Sequence, residues 1–292
     1  MVIYYKNDPE ITGLLGYYFG GGFCVSLFDF VYQEKPMDPG VTERFFECQR
    51  GGLTIRGIEY KPEGENLPVA IVSHGFLMWR DTVRDYTRQL ARLGYCAYCF
   101  DFCGGSIPGK SHSDGENWDM SPMTEVEDLE AVIAYARSLP YNGEELLLMG
   151  ASQGGFVSAV AAAKPENKVS KLVLFYPAFC IPDDARAGKM LFARFDPANI
   201  PERINCGPIT LGGCYPASVI NMDPYQEIVK YAGPVLIVHG TKDAIVHVDY
   251  AKRAYEAYGA DRAKLVIIAD GEHGFKGAHD EQAREELTAF AK

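Results

Sequence analysis

The sequence predicts an α/β fold, a mostly parallel β-sheet with helices on both faces. Three observations carry that expectation. Short apolar runs alternate with helix-length segments from residue 69 onward. The runs are almost continuously apolar, as strands buried on both faces must be. One of them, "LLLMGASQGGFVSAVAAA" over 146–163, breaks at a Gly-rich turn and continues as a small-residue helix. A chain of 292 residues suits one large domain, or a domain plus an insertion, with ample core.

After a Pro/Gly-rich joint, "EKPMDPG", the segment "TERFFECQRGGLTIRGIEYKP" reads as a β-hairpin around Gly51-Gly52. Strands are then expected over 69–74, 95–101, 145–150, 171–176, 234–240 and 264–270, with helices over 82–93, 122–139, from 153, over 248–258 and from about 280. In the 122–139 helix, Val126, Leu129, Val132, Ile133 and Ala136 fall on one face, which is core. Either Ser121 caps it with Pro122 in the first turn, or Thr124 and Glu127 form a capping box. Residues 177–222 break the rhythm, rich in Pro and Gly and without a period. A segment of that length between regular elements predicts an inserted lid.

The first 41 residues form an arm outside the domain expected over 42–292. Ile11 to Phe28 carry no charge and reach the lower length limit of a membrane span, but five glycines weaken them as a helix. Lys6, Asp8 and Glu10 do not make a positive leader, and no A-x-A site follows. The expectation is an arm packed on its own domain or on a neighbouring subunit of a homodimer, with Met37 an alternative start.

A formal net charge of −11 argues against nucleic acid as a partner. Eight cysteines show no disulfide framework. The cluster Cys96, Cys99 and Cys103 contains a C-x-x-C, but it lies in the strand-like "YCAYCFDFC", where alternation sends side chains to opposite faces. Buried, reduced thiols and a cytoplasmic location follow.

Gly150-Ala151-Ser152-Gln153-Gly154 places a serine between two glycines on a strand-to-helix turn, where any side chain at the flanking positions would collide with strand or helix. Alone, the pattern is only moderately specific and also fits an ordinary Gly-rich turn. A nucleophilic serine also needs a base, an acid to orient the base, and donors for the oxyanion. Asp243 follows the strand "PVLIVHG" and His273 follows "KLVIIAD", so Ser152, Asp243 and His273 stand in the order of an α/β-hydrolase triad, each at a strand's carboxyl end. His279 is a competing base that lies closer to the last helix. The backbone amides of Gln153 and, from "SHGFLMWRD", of Phe76 are the expected oxyanion donors, and Gly75 allows close approach to the substrate. His74 reads as a structural hydrogen-bonding residue, since no ligand cluster accompanies it. No metal and no cofactor are called for. Dehalogenase or dienelactone chemistry would put Asp or Cys at the elbow, where this chain has Ser152.

The stretches "SHGF", "FDFCGG", "SHSDGENWDM", "EVEDLEAVI", "GASQGG", "ITLGGCY", "VLIVHGTKDAIV" and "GEHGF" together resemble the feruloyl/cinnamoyl esterases of gut bacteria, within the α/β-hydrolase superfamily. The resemblance runs from about Thr42 to the C-terminus. It implies an α/β-hydrolase fold with a lid subdomain over the acyl pocket, and an acidic residue and a tyrosine from that lid that bind the phenolic hydroxyl. By position these are Asp184 and Tyr215. A glutamine that assists them in some members is Leu191 here. "DFCGGSIPGKS" departs from the usual D-F-x-G-x-G-x-S, which bears on loop shape and not on the triad.

The resulting expectation is a serine carboxylesterase that cleaves hydroxycinnamate esters (feruloyl, caffeoyl, p-coumaroyl or chlorogenate-type) through an acyl-enzyme, its partner a small aromatic ester. A short-chain esterase, a monoacylglycerol lipase or a serine peptidase of the same fold would share the nucleophilic machinery. A non-catalytic binding protein of this fold would be expected to have lost a triad member, and this chain keeps all three.

Overall fold

The computed structural model describes residues 35–292 other than 191, 192 and 208, so most of the expected N-terminal arm and Leu191 lie outside the described residues. The hairpin forms as read: β1 (Val41–Arg50) and β2 (Leu53–Pro62) pair antiparallel across Gly51-Gly52, with Arg50 opposite Leu53. Then follow β3 (Leu67–Ser73), α1 (Arg84–Arg92), β4 (Cys96–Phe100), α2 (Pro122–Ser138), β5 (Asn142–Ala151), α3 (Gln153–Ala162) and β6 (Lys171–Phe175). An insertion separates these from β11 (Val235–Gly240), α7 (Asp249–Tyr258), β12 (Ala263–Ile268) and α8 (Ala278–Ala291).

Among the described residues the main sheet has eight strands in the order β1-β2-β4-β3-β5-β6-β11-β12. β2 pairs antiparallel with β4, and every pair from β4 to β12 is parallel. Alternation along each strand feeds two cores. Val69, Ile71, Leu146, Leu148, Leu172 and Leu174 face one side, against Val126, Leu129, Val132, Ile133 and Ala136 of α2, together with α3 and α7. Ala70, Val72, Leu147, Met149, Val173 and Phe175 face the other, against Tyr86 and Leu90 of α1 and Ala283 and Leu287 of α8. The sheet is therefore covered on both faces, which is why its strands read as apolar runs.

Cys96 and Cys99 fall on opposite faces of β4 as free, buried thiols, and burial pushes each up to about 12. Of the two caps open to α2, the structure uses Ser121: its Oγ accepts from Thr124 N at 3.1 Å while Thr124 Oγ1 accepts from Ser121 N at 2.8 Å. No helix of the described residues is long and apolar enough to cross a membrane.

The insertion is ordered into pieces too short to show a period. It contains α4 (Ile181–Arg186), β7 (Lys189–Met190) paired with β8 (Ala193–Arg194), β9 (Arg203–Asn205) paired with β10 (Thr210–Gly212), and α5 (Cys214–Ala217), and α6 (Pro224–Ile228) follows it. It sits against the loop between β4 and α2. A Cβ at Gly212 would lie 2.0 Å from Trp118 O, so only glycine permits that backbone contact.

Candidate active site

Ser152 occupies the turn between β5 and α3 with φ 56° and ψ −120°, a left-handed conformation that costs a non-glycine residue about 1–3 kcal/mol. The surroundings hold it there. Ser152 N donates to Phe175 O at 2.9 Å, and its carbonyl accepts from Gly155, Phe156 and Ala178. A Cβ at Gly150 would come within 2.1 Å of Gly154 O, and one at Gly154 within 2.4 Å of His74 O. Both glycines flanking the serine are thus required by backbone contact, which exposes the hydroxyl at the tip of the turn.

His273, in the loop after β12, brings Nε2 to 3.0 Å from Ser152 Oγ and Nδ1 to 2.7 Å from Asp243 Oδ2. A proton on Nδ1 donated to the carboxylate leaves Nε2 free to accept the serine proton. The ring packs on Tyr176, centroids 4.7 Å apart. Asp243, beyond β11, is fixed at both oxygens: Oδ1 accepts from Ile245 N at 2.9 Å and Val246 N at 2.8 Å, and Oδ2 also lies 3.2 Å from His239 Nε2. Burial pushes the Asp243 carboxyl up, but the hydrogen bonds from His239 and His273 outweigh it and hold the group well below the usual carboxylate range. His279 stands at the start of α8, its amide donating to Lys276 O.

Gly75 lies against the serine, where a Cβ would sit 3.1 Å from Ser152 Cβ. Among the described residues neither Phe76 N nor Gln153 N donates to a backbone or side-chain acceptor, so both amides beside Ser152 are open to an oxyanion. His74 is buried: Phe102 N donates to its Nε2 at 3.1 Å, which leaves Nδ1 as donor to Gly75 O at 2.8 Å. Burial lowers its pKa, so it is a neutral strut under the Gly75 turn.

The two insertion residues are not joined to each other by a hydrogen bond. Asp184, on α4, has Oδ1 3.3 Å from Lys189 Nζ and remains partly exposed. Tyr215, on α5, is buried with its ring edge-on to Phe76, centroids 5.6 Å apart, and its hydroxyl donates to Gln153 Oε1. The Gln153 side chain in turn donates through Nε2 to Glu125 Oε2 at 2.7 Å. Burial pushes the Glu125 carboxyl well above the usual range.

Sequence reasoning missed Glu125. Its signal was a carboxylate four and seven residues before Leu129 and Val132, on the apolar stripe of α2. Gly104 and Gly105 let the loop after β4 pack closely. The former has φ +69° with Glu116 O 2.4 Å from a would-be Cβ, and the latter faces Glu125 Oε1.

The family model described as the dienelactone hydrolase family matches residues 55–291. The chain belongs to the dienelactone hydrolase family. Within that family it keeps Ser152 at the elbow, so membership stands beside the serine that argued against dienelactone chemistry. Carboxymethylenebutenolidase from Pseudomonas putida is 27% identical over 135 residues, 43% of this chain and 56% of that protein, so the match spans little more than half of that relative. Est1E from Butyrivibrio proteoclasticus is 26% identical, with 84% of this chain and 96% of Est1E covered and a TM-score of 0.74. Est1E with ferulic acid bound gives a TM-score of 0.76 at 26% identity, covering 84% of this chain and 98% of that one. The α/β-hydrolase fold stands, and the resemblance drawn from the sequence agrees with the match to Est1E, one structure of which holds ferulic acid.

Proposed function

We propose that the protein is a serine carboxylesterase that hydrolyses hydroxycinnamate esters through an acyl-enzyme. The observation that carries the chemistry is the hydrogen-bonded series Ser152 Oγ, His273, Asp243 on a strained turn, with two amides free beside it. In this reading His273 Nε2 takes the serine proton as Oγ attacks the ester carbonyl. Gln153 N and Phe76 N stabilise the oxyanion, and Asp243 stabilises the imidazolium. Collapse expels the alcohol, protonated by His273. A water then gives its proton to the same nitrogen and releases the acid.

Support for an aromatic acyl group comes from the Est1E complex with ferulic acid, together with the edge-on rings of Phe76 and Tyr215 next to Gly75, the residue that lies against the serine. The insertion over 177–222 would act as the lid, with Asp184 and Tyr215 near the acyl ring. Buried thiols at Cys96, Cys99 and Cys103 support a reducing, cytoplasmic setting.

The partial match to carboxymethylenebutenolidase favours a second reading, hydrolysis of a lactone such as carboxymethylenebutenolide. A substrate panel decides between them: methyl ferulate and chlorogenate against p-nitrophenyl butyrate, a monoacylglycerol, an aminoacyl amide and that lactone. The expected result is the highest kcat/KM on the hydroxycinnamates, with an acyl adduct on Ser152 detected by mass spectrometry. Turnover confined to the lactone or to aliphatic esters overturns the proposal.

A further inference from the structure

Glu125 is fully buried on α2, and the chemistry above makes no use of it. Three parts of the fold meet at this carboxyl and the Gln153 carboxamide bonded to it. Gln153 opens α3 directly behind the elbow and donates from Nε2 to Glu125 Oε2 at 2.7 Å. Tyr215 belongs to the insertion, and its hydroxyl donates to Gln153 Oε1. The loop after β4 closes the far side, where a Cβ at Gly105 would lie 2.7 Å from Glu125 Oε1. That oxygen has no hydrogen-bond partner among the described residues. All three side chains are withdrawn from water, so a turn of any one would strand a polar group at a cost.

The directions along this series matter. A primary amide has donors at one end and an acceptor at the other. With Nε2 anchored on Glu125, Gln153 presents Oε1 to Tyr215 and commits the tyrosine proton. The Tyr215 oxygen then keeps a lone pair for a further donor. A phenol hydroxyl on an acyl ring is such a donor; a methoxy group or a bare ring is not.

We infer that Glu125 is a positioning residue for substrate recognition: through the Gln153 carboxamide it fixes the Tyr215 hydroxyl so that its oxygen accepts a hydrogen bond from the para-hydroxyl of the acyl group. The inference rests on the hydroxycinnamate reading and deepens it. It ties the insertion to the elbow through side chains 28 and 62 residues apart in sequence.

The test is the ratio of kcat/KM on methyl p-coumarate to that on methyl cinnamate, with methyl p-methoxycinnamate as the ester lacking a donor. Wild type should prefer the hydroxylated ester over both others. Glu125→Met should lower the ratio about five- to tenfold, the range of one neutral hydrogen bond. Glu125→Gln, whose carboxamide still accepts from Gln153, should keep the ratio within about twofold. Tyr215→Phe should lower it as Glu125→Met does, and the double variant no further. Should Glu125→Met fail to fold, Gln153→Met severs the same series and carries the same expectation. A wild-type preference that survives Glu125→Met and Gln153→Met overturns the inference alone. Equal losses on all three esters also overturn it, since Glu125 would then serve only the elbow. A wild type indifferent to the hydroxyl overturns the hydroxycinnamate reading and the inference together.

Discussion

His239 Nε2 lies 3.2 Å from Asp243 Oδ2, the same oxygen that accepts from His273. His239 is fully buried at the end of β11, and its Nε2 also lies 2.8 Å from Val246 O. One ring therefore braces both the carboxylate and the turn that carries it. The His239→Leu variant removes a donor from Asp243 and leaves the carboxylate held by two amides and His273. The expected outcome is a fall in kcat of roughly tenfold or more with little change in KM. Steady-state kinetics on p-nitrophenyl butyrate, with circular dichroism as the folding control, would check it. A kcat within twofold of wild type would show that the brace is dispensable.

The Ser152→Ala, Asp243→Asn and His273→Ala variants should each lower kcat by roughly 10³ or more with the fold intact, because the three act as one unit. His279→Ala should retain most activity. Near-wild-type rates for His273→Ala alongside loss in His279→Ala would reassign the base.

The strand ends that bring Ser152, His273 and Asp243 within hydrogen-bond reach were legible because local rules fix them. An apolar run, two glycines around Ser152 and a small-residue helix determine a turn within about ten residues. The order Ser152, Asp243, His273 then follows along the chain. The Glu125–Gln153–Tyr215 series was not legible, since it joins α2, α3 and α5, and nothing local marks the pairing. Residues 177–222 hid their order for a different reason: strands of two or three residues and helices of four to six carry no period. Resemblance put Asp184 and Tyr215 at one hydroxyl. The structure gives the tyrosine to Gln153 and the aspartate to Lys189.

Glu125 has a consequence for stability. Burial raises its pKa and the nearby Asp128 adds to the rise, against a lowering by the Gln153 hydrogen bond. The folded state therefore binds this proton more tightly than the unfolded chain. Its contribution is fully present below the unfolded pKa of about 4.3 and is lost as pH rises toward the folded value. The Glu125→Gln variant has no proton to lose there. Its stability relative to wild type should increase with pH above that point, by up to about 1.4 kcal/mol per unit within the window. Urea unfolding midpoints of both proteins at about pH 5 and pH 8 give the comparison. A difference independent of pH would mean that Glu125 is ionised throughout.

Tyr215 and Asp184 should differ in how much they matter to a phenolic acyl group. Tyr215 is buried, its ring meets Phe76 beside the elbow, and its hydroxyl has a fixed partner. Asp184 is 34% exposed at its side chain and already paired with Lys189 at 3.3 Å. A carboxylate in that setting is screened by water and by its partner, so its pull on a substrate hydroxyl is discounted. Tyr215→Phe should therefore cost about 1 kcal/mol of discrimination, roughly fivefold in the ferulate-to-cinnamate ratio of kcat/KM. Asp184→Ala should cost less than half of that free energy. Short aliphatic esters, which offer no hydroxyl, should respond to neither change by more than about twofold. The measurement is kcat/KM for each variant on methyl ferulate, methyl cinnamate and p-nitrophenyl butyrate. If Asp184→Ala produced the larger loss on ferulate alone, the ion pair with Lys189 would have to open when substrate binds, and Asp184 would be the main reader of the phenol.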